Sequence, residues 1–206
     1  MRLKEEQGGG WSSGLILAAG GSSRMGSPKQ LLPVHGRPLL ELVVAQACTS
    51  QLDEVLVVLG GNAALIKERV DFGRARTVVN RDFRSGMSSS LRLGLASLAR
   101  ESGRSVIILG DQPGTSSTLL DQLLDLQRAT GLPAAALRLN GILHPPVVLE
   151  RSLWPELVSL EGDVGCRALI RARPELVAAL PMPGWDSHPV DIDTPEDYRR
   201  LVAGPQ

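Results

Sequence analysis

Aromatic residues and lysines are scarce in this chain of 206 residues, in which aromatics make up 3% and lysine occurs only as Lys4, Lys29 and Lys67. The lack of aromatic rings argues against a stacking platform for single-stranded nucleic acids. A formal net charge of zero also argues against a nucleic-acid-binding surface, which is usually basic. No apolar run approaches the roughly 18 residues of a membrane span, so no membrane partner is expected.

Cysteine is also rare, since Cys48 and Cys166 are the only two in the chain. They have neither the spacing of a metal site nor the number that a disulfide framework needs, which favours a reducing, cytoplasmic location. Residues 1–13 are polar and glycine-rich and lack the apolar stretch of a signal peptide, so we predict a disordered leader. Residues 14–206 are enough for one α/β domain with a sizeable core.

Apolar runs that are typical of strands alternate with helical patterns along the chain. The predicted strands cover residues 14–18, 54–59, 76–79, 105–109, 134–139, 146–149 and 190–192. The predicted helices cover residues 38–49, 63–70, 88–100, 117–129, 151–157, 165–171 and 195–202. This alternation favours a mostly parallel sheet with helices on both faces, in which ligands bind at the carboxyl ends of the strands.

The segment 17–29 follows the first predicted strand and reads L-A-A-G-G-S-S-R-M-G-S-P-K. Its small residues let backbone N–H groups turn toward phosphate oxygens, while Arg24 and Lys29 add positive charge as a planar fork and a point charge. It lacks the G-x-G-x-x-G of dinucleotide sites, and its lysine is displaced from the P-loop pattern G-x-x-x-x-G-K-[ST]. We therefore predict a polyphosphate site of another kind, the alternative being a solvated glycine turn.

Carboxylates occupy two further positions that suit a metal. Asp111 follows the buried run at 105–109, and Mg²⁺ commonly joins one or two carboxylates to phosphates; a simple turn aspartate is the alternative. Near the C-terminus, Asp191 and Asp193 would share one face of an extended segment. Their alternative role is local, because Asp193 or Thr194 can cap the last predicted helix.

Serines cluster before the third predicted helix, where residues 84–90 read R-S-G-M-S-S-S. One serine is enough to cap a helix, so the others and Gly86 leave donors for a ligand. Asn80 follows a predicted strand and either points inward or is an ordinary loop asparagine. His35 and His188 are interpreted as surface residues, because neither has a partner at metal-ligand spacing.

These motifs, taken in order over residues 14–202, resemble those of the molybdenum cofactor cytidylyltransferases, in a superfamily that also contains the corresponding guanylyltransferases. The segment 17–29 matches L-A-A-G-x-S-x-R-M-G-x-x-K at every fixed position. The element D-x-D-T-P-E-D begins at Asp191, and G-D-x-G-x-R-A-L begins at Gly162. The element G-x-x-G-H-P-V is altered, because Leu143 replaces the glycine before its histidine.

The resemblance implies a single-domain, Rossmann-like three-layer nucleotidyltransferase fold with a mixed, mostly parallel sheet. It implies Mg²⁺-dependent transfer of CMP from CTP to the terminal phosphate of molybdopterin, with release of pyrophosphate. It also implies a client molybdoenzyme as a further partner. CTP is favoured because L-A-A-G resembles the cytidylyl enzymes, whereas the guanylyl branch typically reads L-A-G-G. The alternatives are a related enzyme with another base or acceptor, such as a sugar phosphate or a phospho-acid, and a non-catalytic accessory protein for a molybdoenzyme.

The resemblance also assigns catalytic and metal-binding roles. Lys29 would neutralise charge near the α-phosphate, Arg24 would hold the leaving β- and γ-phosphates, and Asp111 would complete this catalytic set. Asp111 and Asp193 would bind the metal, with Asp191 as the alternate ligand. A phosphate acceptor is already ionised near neutral pH, so no general base is required.

The resemblance places the substrates as well. His144 and Asp163 are implied at the acceptor site. The residues implied at the nucleotide are Leu17, Ala18, Ala19, Gly20, Gly21, Ser22, Arg24, Lys29, Asn80, Gly86, Ser88, Ser89 and Asp111.

Overall fold

A seven-stranded mixed sheet forms the centre of the computed structural model, which describes residues 10–20, 28–182, 192 and 194–203. Its strands in chain order are β1 (Trp11–Ala18), β4 (Glu54–Leu59), β5 (Arg76–Val79), β6 (Ser102–Leu109), β7 (Ala134–Leu139), β8 (Ile142–Glu150) and β9 (Val177–Pro181). The short strands β2 (Pro33–Val34) and β3 (Arg37–Pro38) form a separate hairpin.

The order of strands across the sheet is β5-β4-β1-β6-β8-β7-β9. The first four of these strands are mutually parallel, β8 runs antiparallel to both β6 and β7, and β9 pairs parallel with β7. The chain moves outward from β1 first to one side, through β4 and β5, and then to the other side through β6. Open α/β sheets bind ligands at such a switch point, outside the carboxyl ends of the strands.

Helices cover both faces of the sheet. They are α1 (Leu39–Thr49), α2 (Ala63–Arg69), α3 (Met87–Ser97), α4 (Ser117–Thr130), α5 (Trp154–Val158), α6 (Cys166–Ala172) and α7 (Pro195–Ala203). One apolar cluster holds the buried residues of α1, α2 and α4, and the other holds those of α3, α5 and α6. In β1, Ile16 belongs to the first cluster and Leu15 to the second, so the central strand is apolar on both faces. This confirms the predicted three-layer α/β fold.

Local side-chain chemistry explains where individual helices begin and end. Ser116 caps α4 by accepting a hydrogen bond from the Leu119 N–H at 3.1 Å, and Gly131 ends that helix in the left-handed conformation. Thr194 caps α7, because its Oγ1 accepts from the Asp197 N–H at 3.2 Å while the Asp197 carboxylate accepts from the Thr194 N–H at 2.9 Å. Thr194 therefore has the local capping role that the sequence suggested.

Two strand boundaries differ from the sequence-based predictions at the amino ends. β1 begins at Trp11, so residues 11–13 of the predicted leader belong to the sheet. Ser12 and Ser13 are fully buried there. Their polar groups are satisfied, since Asp53 accepts the Ser12 N–H at 2.9 Å and Glu54 accepts the Ser13 hydroxyl at 2.9 Å. β6 likewise begins at Ser102 rather than at residue 105. Polar strand ends of this kind carry no apolar signal in the sequence.

The carboxyl-terminal half differs more. β8 extends over Ile142–Glu150, and β9 has no predicted counterpart. The predicted strand at 190–192 lies outside the described residues except for Ile192, which is not in a strand. Among the described residues, no helix is long and apolar enough to cross a membrane.

Candidate active site

A cleft of about 610 Å³ opens at the carboxyl end of β1. It lies at the switch point of the sheet, where the ends of β1 and β6 contribute to its lining. Its volume falls within the roughly 300–1,000 Å³ of small-molecule sites in general. The residues that line it are Leu17, Ala18, Ala19, Gly20, Lys29, Gln30, Phe83, Arg84, Gly86, Met87, Ser90, Leu109, Gly110, Asp111, Asp163 and Arg167.

The end of β1 forms the floor of the cleft, and it lies between Gly60, which follows β4, and Gly110, which follows β6. A Cβ atom at Gly60 would lie 2.3 Å from the carbonyl oxygen of Ala19, so only glycine fits there. On the other side, the Gly110 N–H donates to the Leu17 carbonyl at 2.9 Å. The backbone of Leu17 to Gly20 is thereby held at the floor, where the sequence placed nucleotide contacts.

Lys29 and Asp111 meet in this cleft. The Lys29 ammonium donates a hydrogen bond to Oδ2 of Asp111 and a second one to the Ile192 carbonyl at 3.3 Å. Both side chains are largely buried, with exposed fractions of 18% and 19%. The Ile192 N–H also donates to the Asp111 carbonyl at 3.3 Å. Ile192 is therefore hydrogen-bonded both to Asp111, just beyond the carboxyl end of β6, and to Lys29.

Gln30 is a site residue that the sequence-based predictions missed. Its side chain is buried, and its Nε2 donates to the Ala18 carbonyl at 3.1 Å and to the Gly20 carbonyl at 3.0 Å. These two bonds fix the backbone at the point where the strand opens into the glycine-rich segment. The position of Gln30 directly after Lys29 is the only sequence signal for this role, and it does not reveal which carbonyls the amide reaches.

Asn80 organises the serines at the start of α3 without lining the cleft. Its Nδ2 donates to Ser89 Oγ at 2.8 Å and to Ser90 Oγ at 2.9 Å, while its Oδ1 accepts from the Asp82 N–H at 2.9 Å. Ser89 in turn donates to the Gly86 carbonyl at 2.8 Å. Of the three serines, Ser90 is the one that lines the cleft. The predicted nucleotide residues Asn80 and Ser89 thus shape the wall behind Ser90.

Gly86 brings the start of α3 against the loop at 162–163. Gly86 has a φ of +99°, and a Cβ atom there would lie 2.2 Å from the Gly162 carbonyl carbon. The Met87 N–H donates to the Asp163 carboxylate at 3.3 Å, and the Ser88 N–H donates to the Gly162 carbonyl at 3.2 Å. Asp163 therefore satisfies an N–H of the first turn of α3. Ser88 is buried and does not line the cleft.

Two arginines that the sequence-based predictions did not include line the cleft. Arg84 is exposed at one wall, with its guanidinium 5.7 Å from the centre of the Phe83 ring. Arg167, in α6, lines the wall beside Asp163. The position of Arg84 next to the serine cluster and that of Arg167 in the G-D-x-G-x-R-A-L element were signals in the sequence. Together with Lys29, they make the lining of the cleft suited to anions.

The remaining predicted residues are placed as follows. His144 is in β8 opposite Leu137 and lines neither the cleft nor the smaller cavity beside it, although Pro145 lines the latter. Gly21, Ser22, Arg24, Asp191 and Asp193 lie outside the described residues.

The described residues also limit how a metal can be held. In residues 10–20, 28–182, 192 and 194–203, no group of three or more His, Cys, Asp or Glu side chains forms a metal cage. Asp111 offers carboxylate oxygens at the cleft, which is the donor type that Mg²⁺ and Mn²⁺ prefer. This donor type fits a cation that takes part of its shell from a bound phosphate chain.

Two curated proteins are similar to this chain over nearly its whole length. The chain is 36% identical to the nicotine blue oxidoreductase of Paenarthrobacter nicotinovorans, over 92% of this chain and 96% of that protein. It is 32% identical to the purine catabolism protein PucB of Bacillus subtilis (strain 168), over 90% of this chain and 93% of that protein.

Solved structures of similar sequence have the same fold as this chain. Rv0371c of Mycobacterium tuberculosis H37Rv superimposes with a TM-score of 0.84 at 30% identity, covering 95% of this chain and 99% of that one. A second structure of Rv0371c, described as a complex with manganese, has a TM-score of 0.81 at 30% identity and covers 95% of this chain and all of that one, 100%. The family model for the MobA-like NTP transferase domain matches residues 14–177. This chain belongs to the MobA-like NTP transferase domain family, and it is a nucleotidyltransferase.

Proposed function

We propose that this protein transfers a nucleoside monophosphate, CMP from CTP in the first instance, to the terminal phosphate of a molybdopterin-type acceptor and releases pyrophosphate. The observation that carries the proposal is the meeting of Lys29 and Asp111 in a cleft at the switch point of the sheet. Family membership supports the transfer reaction, and the motifs support the choice of base and acceptor.

In the proposed reaction, an oxygen of the acceptor phosphate attacks the α-phosphorus of the nucleotide in line with the leaving group. A new P–O bond forms as the bond between the α-phosphorus and the bridging oxygen breaks, and the electron pair leaves with pyrophosphate. Lys29 neutralises charge at the α-phosphate, and Arg24 holds the leaving end. The enzyme contributes positioning and fixed positive charge, so no side chain needs to form a covalent bond.

Asp111 and Asp193 would hold the Mg²⁺ ion. The hydrogen bonds between Ile192 and both Lys29 and Asp111 support this pairing, because Ile192 directly precedes Asp193 in the chain. When bound, the ion supplies charge neutralisation for the triphosphate oxygens. A client molybdoenzyme that receives the product, and a cytoplasmic location, belong to the same proposal.

The preference for CTP rests on Ala19, which lines the cleft in the L-A-A-G element. Enzymes of the guanylyl branch typically carry glycine there, so the methyl group of Ala19 narrows the floor. A single methyl group in a substrate pocket changes discrimination by about 1–3 kcal/mol. This is enough to shift the preference of the enzyme for a pyrimidine over a purine nucleotide by roughly one to two orders of magnitude.

The test is a panel of CTP, GTP, ATP and UTP with pyrophosphate release as the readout, with and without molybdopterin. We expect release with CTP and molybdopterin together, and its loss in Lys29→Ala and Asp111→Asn. Lys67→Ala in α2 and Asp125→Asn in α4 make the same chemical changes at exposed sites and should leave turnover unchanged. Wild-type turnover in either active-site variant would remove that residue from the mechanism. Binding of molybdopterin without transfer would favour an accessory protein.

A second candidate comes from the oxidoreductase name of the relative that is 36% identical. It predicts that this chain catalyses a redox reaction of nicotine blue, which is followed as a change in the absorbance of the dye with a supplied electron donor. The same protein preparation should be assayed for both reactions. Transfer without a reaction of the dye supports the first proposal, and a reaction of the dye without pyrophosphate release supports the second.

A further inference from the structure

The last helix, α7, contacts the segment that carries Lys29, although the two lie at opposite ends of the chain. The phenolic hydroxyl of Tyr198 donates a hydrogen bond to the Pro33 carbonyl at 2.6 Å. Tyr198 and Leu201 pack against the same apolar cluster as Leu31, which lies between Lys29 and Pro33 in the chain. The tyrosine directly follows the D-x-D-T-P-E-D element, of which the proposed reaction uses only aspartates.

The hairpin of β2 and β3 leaves the Pro33 carbonyl available for this bond. The Leu39 N–H donates to the Leu32 carbonyl at 2.9 Å, so these residues form a hydrogen-bonded pair. Such pairs alternate along an antiparallel ladder, so the carbonyls of the next pair, Pro33 and Pro38, point away from the partner strand. Proline suits both positions because it has no N–H that would need a partner. Tyr198 thus supplies the donor for a carbonyl that the hairpin turns outward.

Lys29 lies just before this hairpin. Backbone hydrogen bonds close a short 3₁₀ turn over Lys29–Leu31, including the bond from the Leu32 N–H to the Lys29 carbonyl at 3.2 Å. The turn runs directly into Pro33, so a shift of the hairpin moves the backbone of Lys29 as well. The far end of the lysine side chain is bonded to Asp111 in the cleft.

The chain leading into α7 contacts the same lysine. Ile192 is fully buried in the apolar cluster, and its carbonyl accepts a hydrogen bond from the Lys29 ammonium at 3.3 Å. Thr194 caps α7 by accepting the Asp197 N–H at 3.2 Å, so the helix starts shortly after Ile192. The carboxyl-terminal segment therefore contacts the segment around Lys29 at two points, with Ile192 at the ammonium and Tyr198 at the hairpin.

We propose that Tyr198 is a positioning residue for Lys29. Its bond to Pro33 holds the 3₁₀ turn in the place from which the ammonium reaches Asp111. Without the hydroxyl the hairpin keeps its own ladder, but the turn before it loses an anchor. The inference rests on the role of Lys29 in the proposed transfer, and it adds a residue that does not line the cleft.

The test uses Tyr198→Phe, which keeps the ring and removes the hydroxyl. Trace acetylation with acetic anhydride, followed by mass spectrometry of peptides, measures the reactivity of Lys29 beside that of Lys67 in α2. An ammonium held by a carboxylate reacts slowly, because only a free amine attacks the anhydride. We expect Lys29 to be acetylated about three- to tenfold faster in Tyr198→Phe, the equivalent of one lost hydrogen bond, and Lys67 at an unchanged rate.

Steady-state kinetics provide the second measurement. Lys29 acts on charge that develops during transfer, so its misplacement affects the transition state more than the bound nucleotide. In Tyr198→Phe, kcat for pyrophosphate release should fall about three- to tenfold, while KM for CTP changes by less than about twofold.

Thr49→Val in α1 is the matched control. It removes a hydroxyl that donates to the Ala45 and Gln46 carbonyls at 3.1 Å, away from the lining of the cleft. Both the acetylation of Lys29 and kcat should stay at their wild-type values. A purely structural role of Tyr198 would lower the urea midpoint and leave the ratio of Lys29 to Lys67 acetylation unchanged. That result, equal acceleration at both lysines, or an unchanged kcat would each overturn the inference.

Failure of the proposed function has a different signature. If no NTP supports transfer, or Lys29→Ala keeps wild-type turnover, while Tyr198→Phe still speeds acetylation of Lys29, the reaction is wrong and the anchoring of the lysine stands. If transfer requires Lys29 but its acetylation is the same in Tyr198→Phe and the wild type, the reaction stands and Tyr198 does not position the lysine.

Discussion

The Lys29 ammonium donates a hydrogen bond to the Asp111 carboxylate, although the two residues lie 82 positions apart in the chain. Lys29 begins the short 3₁₀ turn at Lys29–Leu31, and Asp111 lies just beyond the end of β6. The proposed metal ligand is thus bound by a cation of the protein itself. A divalent ion that binds Asp111 has to compete with this ammonium group, and a triphosphate gives Lys29 an alternative anionic partner.

This competition predicts that Lys29→Met strengthens metal binding by the free protein. Without nucleotide, removing the ammonium should lower the Kd for Mn²⁺ by roughly three- to tenfold, because the carboxylate loses a competing partner. Electron paramagnetic resonance of free Mn²⁺ measures this directly. Asp111→Asn should weaken Mn²⁺ binding, and Lys67→Met is the control at an exposed lysine. Unchanged Mn²⁺ affinity in Lys29→Met would show that the ion pair does not hold Asp111 against the metal.

Gln30 provides a second prediction, about the shape of the cleft floor. Gln30→Glu replaces the amide that donates to the Ala18 and Gly20 carbonyls with a carboxylate that repels them. We expect a loss of about 1–3 kcal/mol in the free energy of unfolding, the cost of leaving buried groups unpaired. Nucleotide affinity should fall as well, since the floor backbone is no longer fixed.

Urea denaturation and equilibrium nucleotide binding check this prediction. Gln46→Glu is the matched control, because Gln46 uses its Oε1 to accept the Ser117 N–H at 2.8 Å and a carboxylate can keep that bond. If Gln30→Glu unfolds at the same urea concentration as the control and binds nucleotide equally well, the two amide bonds do not hold the floor.

The parts of the fold that the sequence predicts well are those in which apolar runs have both faces buried. β4 has the predicted bounds because residues 55–59 are buried on both faces and two glycines follow them. β5 also has the predicted bounds, although it is an edge strand whose residues are exposed or only partly buried. β9 escaped prediction because Val177–Pro181 reads V-A-A-L-P, a short stretch without a strand pattern, and it becomes a strand by pairing with β7. That pairing depends on residues about 40 positions earlier, which no local pattern contains.

At the site, the sequence predicts residues that their charge identifies, and it misses residues whose role depends on contacts formed only in the folded protein. Asp111 is a charged residue just beyond the end of β6, and Lys29 closes the glycine-rich segment that follows β1. A parallel sheet brings the segments after neighbouring strands together. Which serine faces the cleft depends on the Asn80 bonds to Ser89 and Ser90, which exist only once β5 and α3 are adjacent. Gln30 has the same limitation, because its role is defined by two backbone carbonyls.

The third prediction concerns Gly86, which lets the start of α3 pack closely against the loop at Gly162. Gly86→Ala adds strain at a φ of +99° and also a Cβ atom 2.2 Å from the Gly162 carbonyl carbon. Gly131→Ala has comparable strain at a φ of +66°, with nothing within 4 Å of the added Cβ. We expect about 1–2 kcal/mol of destabilisation for Gly131→Ala and clearly more for Gly86→Ala.

The functional consequence distinguishes the two glycine variants further. Gly86→Ala should force the Met87 N–H away from the Asp163 carboxylate. Because both residues line the cleft and the smaller cavity, the shape of the shared wall should change. Its KM should rise for nucleotide and acceptor alike, whereas Gly131→Ala should keep both values. Denaturant unfolding and steady-state kinetics measure these effects, and equal losses of stability in the two variants would show that the loop moves aside freely.

The fourth prediction concerns the Glu54 carboxyl group, which makes the free energy of unfolding depend on pH. Burial is the largest influence and raises the pKa of its carboxyl, but bonds from Arg76, the Ala99 N–H and Ser13, with the Arg76 charge, together hold the pKa below 4.5. The stabilising contribution is therefore present above the unfolded value and is lost as the pH falls through the folded pKa. Glu54→Gln should destabilise the protein at pH 7 by about 1.5–3 kcal/mol, as charged hydrogen bonds do. Urea denaturation from pH 7 down to about pH 3 should show this difference shrinking below about pH 4.5. The exposed Glu68→Gln is the control, and a difference that stays constant with pH would contradict the assignment.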